Sequence, residues 1–189
     1  MQLTAVTAIL LALSLNLAPS QSSTASPSKP AILGNLSQGK YSNPVLGIQF
    51  ELPAGWQIDD PEGSEKFSKQ LPSRMHLHFT SGDDQIFLSA TPLEPDEKLG
   101  SVFGISLRGV SDAAGLHTAA KRTKDTWEGH EMLSQKVNRK VQTGTETGVY
   151  RGFALKGFYI SILDLGPVST ETVREGIIKT LHTLPGDSN

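Results

Sequence analysis

The sequence has no cysteine. That excludes disulfides, thiolate metal sites, a cysteine nucleophile and a lipid carried on a cysteine behind a leader. It has no block of like charge either. Lys and Arg total 17 against 19 Asp and Glu, so a nucleic acid or an anionic lipid surface finds no basic patch to bind. Among the motifs of enzymes, no Gly-x-Ser-x-Gly elbow is present. Neither a phosphate-binding Gly-x-x-x-x-Gly-Lys loop nor a dinucleotide fingerprint is expected. No cofactor is expected.

One apolar run is present, from Leu3 to Ala18, and it carries no charge. It is short for a membrane span, which needs about 20 apolar residues, and it has the form of an export leader. Ala18-Pro19-Ser20 offers cleavage before Gln21, and Ser23-Thr24-Ala25 a second possibility. The expectation is a signal peptide over residues 1–20 and an exported protein, periplasmic or secreted, with no stable membrane insertion after cleavage. Residues 21–39 are rich in Ser, Thr, Pro and Gly and read as a flexible linker. Residues 40–185 are long enough for one domain with a substantial core, and residues 186–189 read as a disordered tail.

Within that domain the first clear strand is Gly47 to Leu52. Ile48, Phe50 and Leu52 share a face, and Pro53-Ala54-Gly55-Trp56 ends the run. Asp59 to Lys69 is polar, contains Pro61 and Gly63, and reads as a loop. Arg74 to Thr80 alternates cleanly, with Met75, Leu77 and Phe79 opposite His76 and His78. A turn at Ser81 to Asp84 leads into a return strand, Ile86 to Thr91. A helix is expected from Pro95, capped by Asp96 and ended by Gly115. His117 to Trp127 reads as an edge strand, and His130 to Val141 as a longer one. A hairpin loop is expected at Gly144 to Gly148, followed by strands Val149 to Leu155 and Phe158 to Leu165. The last strand is apolar on both faces, which makes the sheet a covered middle layer. Ser169 or Thr170 is expected to cap a final helix whose apolar stripe is Val173, Ile177, Ile178 and Leu181. The order is that of an antiparallel α+β domain.

Tyr41, the run Gly47-Ile48-x-Phe50-x-x-Pro53-x-Gly55-Trp56, Trp127-x-Gly129 entering a strand, the Lys156-Gly157 hairpin and the closing helix together resemble the PsbP-like superfamily. That superfamily contains the extrinsic photosystem II subunit, a nuclear-transport Ran-binding factor and bacterial envelope proteins. The resemblance covers about Lys40 to Leu184. It implies an antiparallel β-sheet flanked by helices on both faces, and action through surfaces. It supplies no enzymatic residue set.

The histidines carry the remaining chemistry. His76 and His78, at i and i+2 of one strand, put both imidazoles on one face, where they could supply two ligands to zinc or copper. Asp83 and Asp84 lie in the adjacent turn. His130-Glu131-Met132-Leu133-Ser134 matches half of a zinc-protease motif, but it lacks the second histidine and sits in a strand. The leading expectation is a non-catalytic accessory domain that binds another envelope or extracellular protein. The alternatives are a metal- or small-ligand-binding periplasmic protein using His76 and His78, and a hydrolase of unrecognised type. For Tyr41, Phe50 and Trp56 the expectation is core packing.

Overall fold

The computed structural model describes residues 31–71 and 73–185. The leader over 1–20, the first part of the linker and the tail over 186–189 lie outside the described residues.

The domain starts earlier than composition suggests. A short 3-10 turn, Ala31–Leu33, precedes a meander of β1 (Asn35–Ser37), β2 (Lys40–Asn43) and β3 (Ile48–Glu51). Ile32 and Leu33 are buried in the core, so the linker expected over 21–39 is not one from residue 31 onward. Their carbonyls are satisfied from below. The Tyr41 hydroxyl donates to Leu33 O at 3.1 Å, and Asn43 Nδ2 donates to Ile32 O at 2.7 Å. Two apolar residues with paired carbonyls suffice to anchor a segment that is otherwise polar.

β4 (Gln57–Asp59) leads into α1 (Pro61–Gln70), where a loop was expected. The helix has almost no apolar stripe, and so lacks the periodicity that marks a helix in sequence. Its start is specified by chemistry instead. Asp60 adopts φ 45° and accepts a hydrogen bond from Gly63 N at 2.9 Å, with Pro61 at the first helical position. A Cβ on Gly63 would collide with the Asp60 carboxylate. β5 (Met75–Ser81) and β6 (Asp84–Pro92) then form the expected hairpin, with Met75, Leu77 and Phe79 buried.

α2 (Leu99–Ala114) begins after Lys98, two residues later than a cap at Asp96 would place it. Residues 94–97 close a separate turn: Glu97 N donates to Glu94 O at 3.0 Å, and the Glu97 carboxylate accepts from Glu94 N at 2.9 Å. Gly115, at φ 65°, ends the helix as expected. The segment after it is two strands, β7 (His117–Thr118) and β8 (Thr123–Trp127), both paired with β9 (His130–Val141).

β10 (Gly144–Leu155) and β11 (Phe158–Pro167) complete a meander with β9. The loop expected at Gly144 to Gly148 is the first part of β10, and the turn is Gln142 and Thr143. Glu146 is held opposite Arg139, whose Nε donates to it at 2.8 Å. Gly148 is required by close approach: a Cβ there would overlap the Asp164 carbonyl. A 3-10 turn, Val168–Thr170, precedes α3 (Glu171–Lys179), and β12 (His182–Thr183) pairs with β3. Thr170 makes no side-chain cap; its hydroxyl donates to Asp84 Oδ1 at 2.6 Å. Val173 is exposed, whereas Ile177 and Leu181 are buried.

The large sheet runs β4-β5-β6-β11-β10-β9-β7, with β8 also on β9, and the small one β1-β2-β3-β12. β11 is buried along both faces, and the large sheet is a middle layer as expected. On one face Phe79, Leu88, Phe153, Ile160 and Ile162 meet the small sheet and Ile177 and Leu181. On the other, Tyr150, Tyr159, Leu163 and Leu165 lie beneath Phe103 and Leu107 of α2. The domain is thus α+β, an antiparallel sheet with helices on both faces.

A clasp closes the C-terminus. Trp127 Nε1 donates to Leu181 O at 3.0 Å. The Glu128 carboxylate accepts from Thr183 N at 2.7 Å and pairs with His182 Nδ1 at 2.8 Å. Partial burial pushes the Glu128 pKa up, but the bonds from Thr183 and His182 outweigh it and the net direction is down. A carboxylate with a lowered folded pKa stabilises above its unfolded value, and that contribution is lost as pH falls through the folded value. In acid titrations of unfolding, Glu128→Gln should be less stable than the parent at neutral pH. The gap should close below the ordinary carboxylate pKa of 4.5. A gap independent of pH would exclude the clasp as its source.

Candidate functional site

His76 and His78 project from the same face of β5, as their spacing requires, toward the layer of α2. They are engaged separately. His76 Nδ1 lies 2.8 Å from Ser89 Oγ, its register partner on β6. His78 Nδ1 lies 3.0 Å from Asp59 Oδ2, its partner on β4. The His78 ring stacks on Phe87 at 4.1 Å between centroids. Burial, with His78 nearby as a lesser cause, draws the His76 pKa down. Among the described residues no group of three or more His, Asp or Glu side chains converges as a metal shell. Asp84 is turned away from the histidines toward Arg174.

The Ser89–His76 pair is one contact of a hydrolytic triad. The carboxylate that would orient the imidazole is bonded to His78 instead. Both residues also sit within paired antiparallel strands, so their backbone N–H groups belong to the sheet and not to an oxyanion hole. His130 to Ser134 lies in β9, and the zinc-protease geometry is absent. Against the expectation that no such loop is present, Gly34 to Lys40 spells Gly-x-x-x-x-Gly-Lys, with Tyr41 where a phosphate loop carries Ser or Thr. The segment is the β1–β2 hairpin, turning at Gln38 (φ 50°) and Gly39 (φ 76°), with no helix to receive a phosphate.

Beside His76 a groove of about 220 Å³ opens between the C-terminal half of α2 and the sheet. Phe87, Leu163 and the Tyr150 ring form its sheet side, Val110, Ala113 and Ala114 its helix side, and Ser89 and Ser161 add hydroxyls. The local cause is side-chain size: the final helical turn offers only alanines to the sheet. Deeper in, the Tyr150 hydroxyl is shared with Ser106 Oγ at 2.6 Å and Tyr159 at 3.1 Å. Burial first, and Tyr150 second, push the Tyr159 pKa up, so the phenol stays protonated. Gly152 makes this layer possible, since a Cβ there would strike Tyr159 and Phe103. None of this was legible beforehand, because the lining comes from five separate elements.

Sequence reading also missed a buried charge network. The Arg174 side chain is 0 % exposed and pairs with Asp84, while its Nε lies 3.7 Å from Asp164 Oδ1. Asp164 in turn pairs with Arg151. Arg174 further donates to Pro167 O at 3.0 Å and Thr147 O at 3.1 Å. The network ties α3 to the β5–β6 turn and to β10 and β11.

Neither a protein-family model nor a curated protein sequence matches the chain. Solved structures do. The solution structure of cyanobacterial PsbP (CyanoP) from Synechocystis is similar at a TM-score of 0.58 and 14 % identity, over 79 % of this chain and 96 % of that one. The fold is PsbP-like. A crystal structure from Bacteroides thetaiotaomicron is similar at a TM-score of 0.50 and 12 % identity, over 80 % of this chain and 50 % of that one. The Saccharomyces cerevisiae Ran-binding protein Mog1p overlaps at 0.46 and 11 % identity, over 79 % of this chain and 97 % of that one. In this PsbP-like domain the residues that carried the resemblance belong to the scaffold. Tyr41 and Phe50 are buried, and Trp56 and Trp127 pack against the same core. Among the described residues no helix is long and apolar enough to cross a membrane.

Proposed function

We propose that this PsbP-like domain is an exported, non-catalytic accessory protein that binds another protein of the envelope or extracellular space. The leader-like run from Leu3 to Ala18 supports export. The separate engagement of His76 and His78 supports binding over catalysis. The observation that carries the reading is on α1. Phe67 and Leu71, at i and i+4, are 37 % and 42 % exposed at the end of a helix that is otherwise polar. The flanking Glu65 and Lys69 pair with each other at 3.6 Å. An apolar ridge within a charged rim is the anatomy of a small protein interface, and its partner is an apolar segment of another exported protein.

The test is crosslinking and pull-down of the tagged protein from its native envelope, beside Phe67→Glu. One reproducible partner that the variant loses is the expected result. Recovery of no reproducible partner, together with turnover of a substrate, would overturn the proposal.

A further inference from the structure

The groove under α2 has features that neither the scaffold nor the α1 ridge uses. Its volume is about 220 Å³, and a dry apolar cavity of about 150 Å³ accommodates benzene. One ring with a small substituent is therefore the size that fits. No residue lining it is Asp, Glu, Lys or Arg. Burial first, and His78 second, draw the pKa of the His76 imidazole at its edge down, which disfavours its charged form. A charged ligand would shed its hydration there without a counter-charge.

One polar group is left over. Ser161 lines the groove, and its hydroxyl, which is not one of the fully buried unpaired atoms, opens into it with no hydrogen bond to another described residue. The Tyr150 hydroxyl, by contrast, is already shared with Ser106 and Tyr159. A hydroxyl that bonds to no protein group and opens into an apolar groove can bond to a ligand that brings one donor and acceptor.

We propose that the groove is a binding site for a small, neutral, single-ring phenol. The ring lies among Phe87, Val110 and Leu163, and its hydroxyl bonds to Ser161. The inference uses different residues from the α1 ridge and stands or falls apart from it.

The probe is phenol, titrated into the full-length protein and followed by backbone amide shifts, with toluene and benzoate in parallel. Saturable shifts at Val110, Ala114 and Leu163 are expected with phenol, and none with benzoate. Ser161→Ala should weaken phenol about tenfold and leave toluene within about twofold, the signature of one hydrogen bond. Ala113→Trp, at an exposed position on the rim, should abolish both without moving the unfolding midpoint of the free protein. Three results would overturn the proposal: no saturable shift at the groove, equal losses for phenol and toluene in Ser161→Ala, or undiminished binding in Ala113→Trp. Binding of N-acetyl-tyrosinamide as tightly as phenol would overturn it in favour of a partner's tyrosine side chain.

Discussion

Arg174→Ala should lower the unfolding free energy by about 3–5 kcal/mol, the cost of stranding a buried charge. In a domain of this size that corresponds to a fall in melting temperature of about 10 °C. The magnitude comes from what is left behind. Asp84 is 8 % exposed and would keep its carboxylate without its main cation. The carbonyl of Thr147 would lose its donor as well. Asp164 would fare better, because Arg151 still pairs with it. Lysine is a poor substitute, since a single ammonium cannot reproduce the guanidinium fork that spans Asp84 and Thr147.

Urea unfolding checks the expectation, and a double variant identifies the cause. Arg174→Met combined with Asp84→Leu removes both charges and keeps apolar volume. It should recover much of the loss, because an apolar replacement of a buried ion pair is often close to neutral. Strictly additive losses would show that the penalty is one of packing and not of an unpaired charge.

Phe50→Ala should cost about 3–5 kcal/mol, the range for truncating a buried aromatic. Phe50 is 4 % exposed. Its ring centroid lies 5.0 Å from that of Tyr41 and 5.5 Å from that of Phe79. With Tyr41, whose ring lies 5.3 Å from Phe79, it joins the small sheet to the large one. Phe50→Leu keeps most of the volume and should cost about 1 kcal/mol. Thermal unfolding monitored by circular dichroism separates the two. A loss below about 1 kcal/mol for Phe50→Ala would mean that the two sheets are held together elsewhere.

The fold was legible where side chains alternate. Met75 to Phe79 and Phe158 to Leu165 declared both their strand character and the number of faces they bury. α1 was not legible, because a helix recognised by apolar period needs an apolar face, and Phe67 alone does not make one. Its real specification is Asp60 bonded to Gly63 N, a signal of one hydrogen bond. Arg174 was invisible for another reason. A charged residue beside an apolar stripe reads as solvent-facing until its counter-ion is known, and Asp84 lies 90 residues away. The shared face of His76 and His78 followed from period two. Their partners Ser89 and Asp59 did not, because strand register fixes them.

The pairing of β12 with β3 has a consequence for how the molecule is made. β12 is an edge of the small sheet, and all the strands of the large sheet lie between it and its neighbour β3 in sequence. Ile177 and Leu181, which cover the aromatic cluster around Phe50, arrive just before β12. A nascent chain that has reached Pro167 holds every strand of the large sheet and three of the small one, and lacks only β12 and the cover given by Ile177 and Leu181 on that face. Closure of the small sheet therefore comes after the large sheet is complete, and it depends on a long-range contact of the kind that slows folding. Until then the apolar surface that Ile177 and Leu181 cover is open, the kind of surface a chaperone holds.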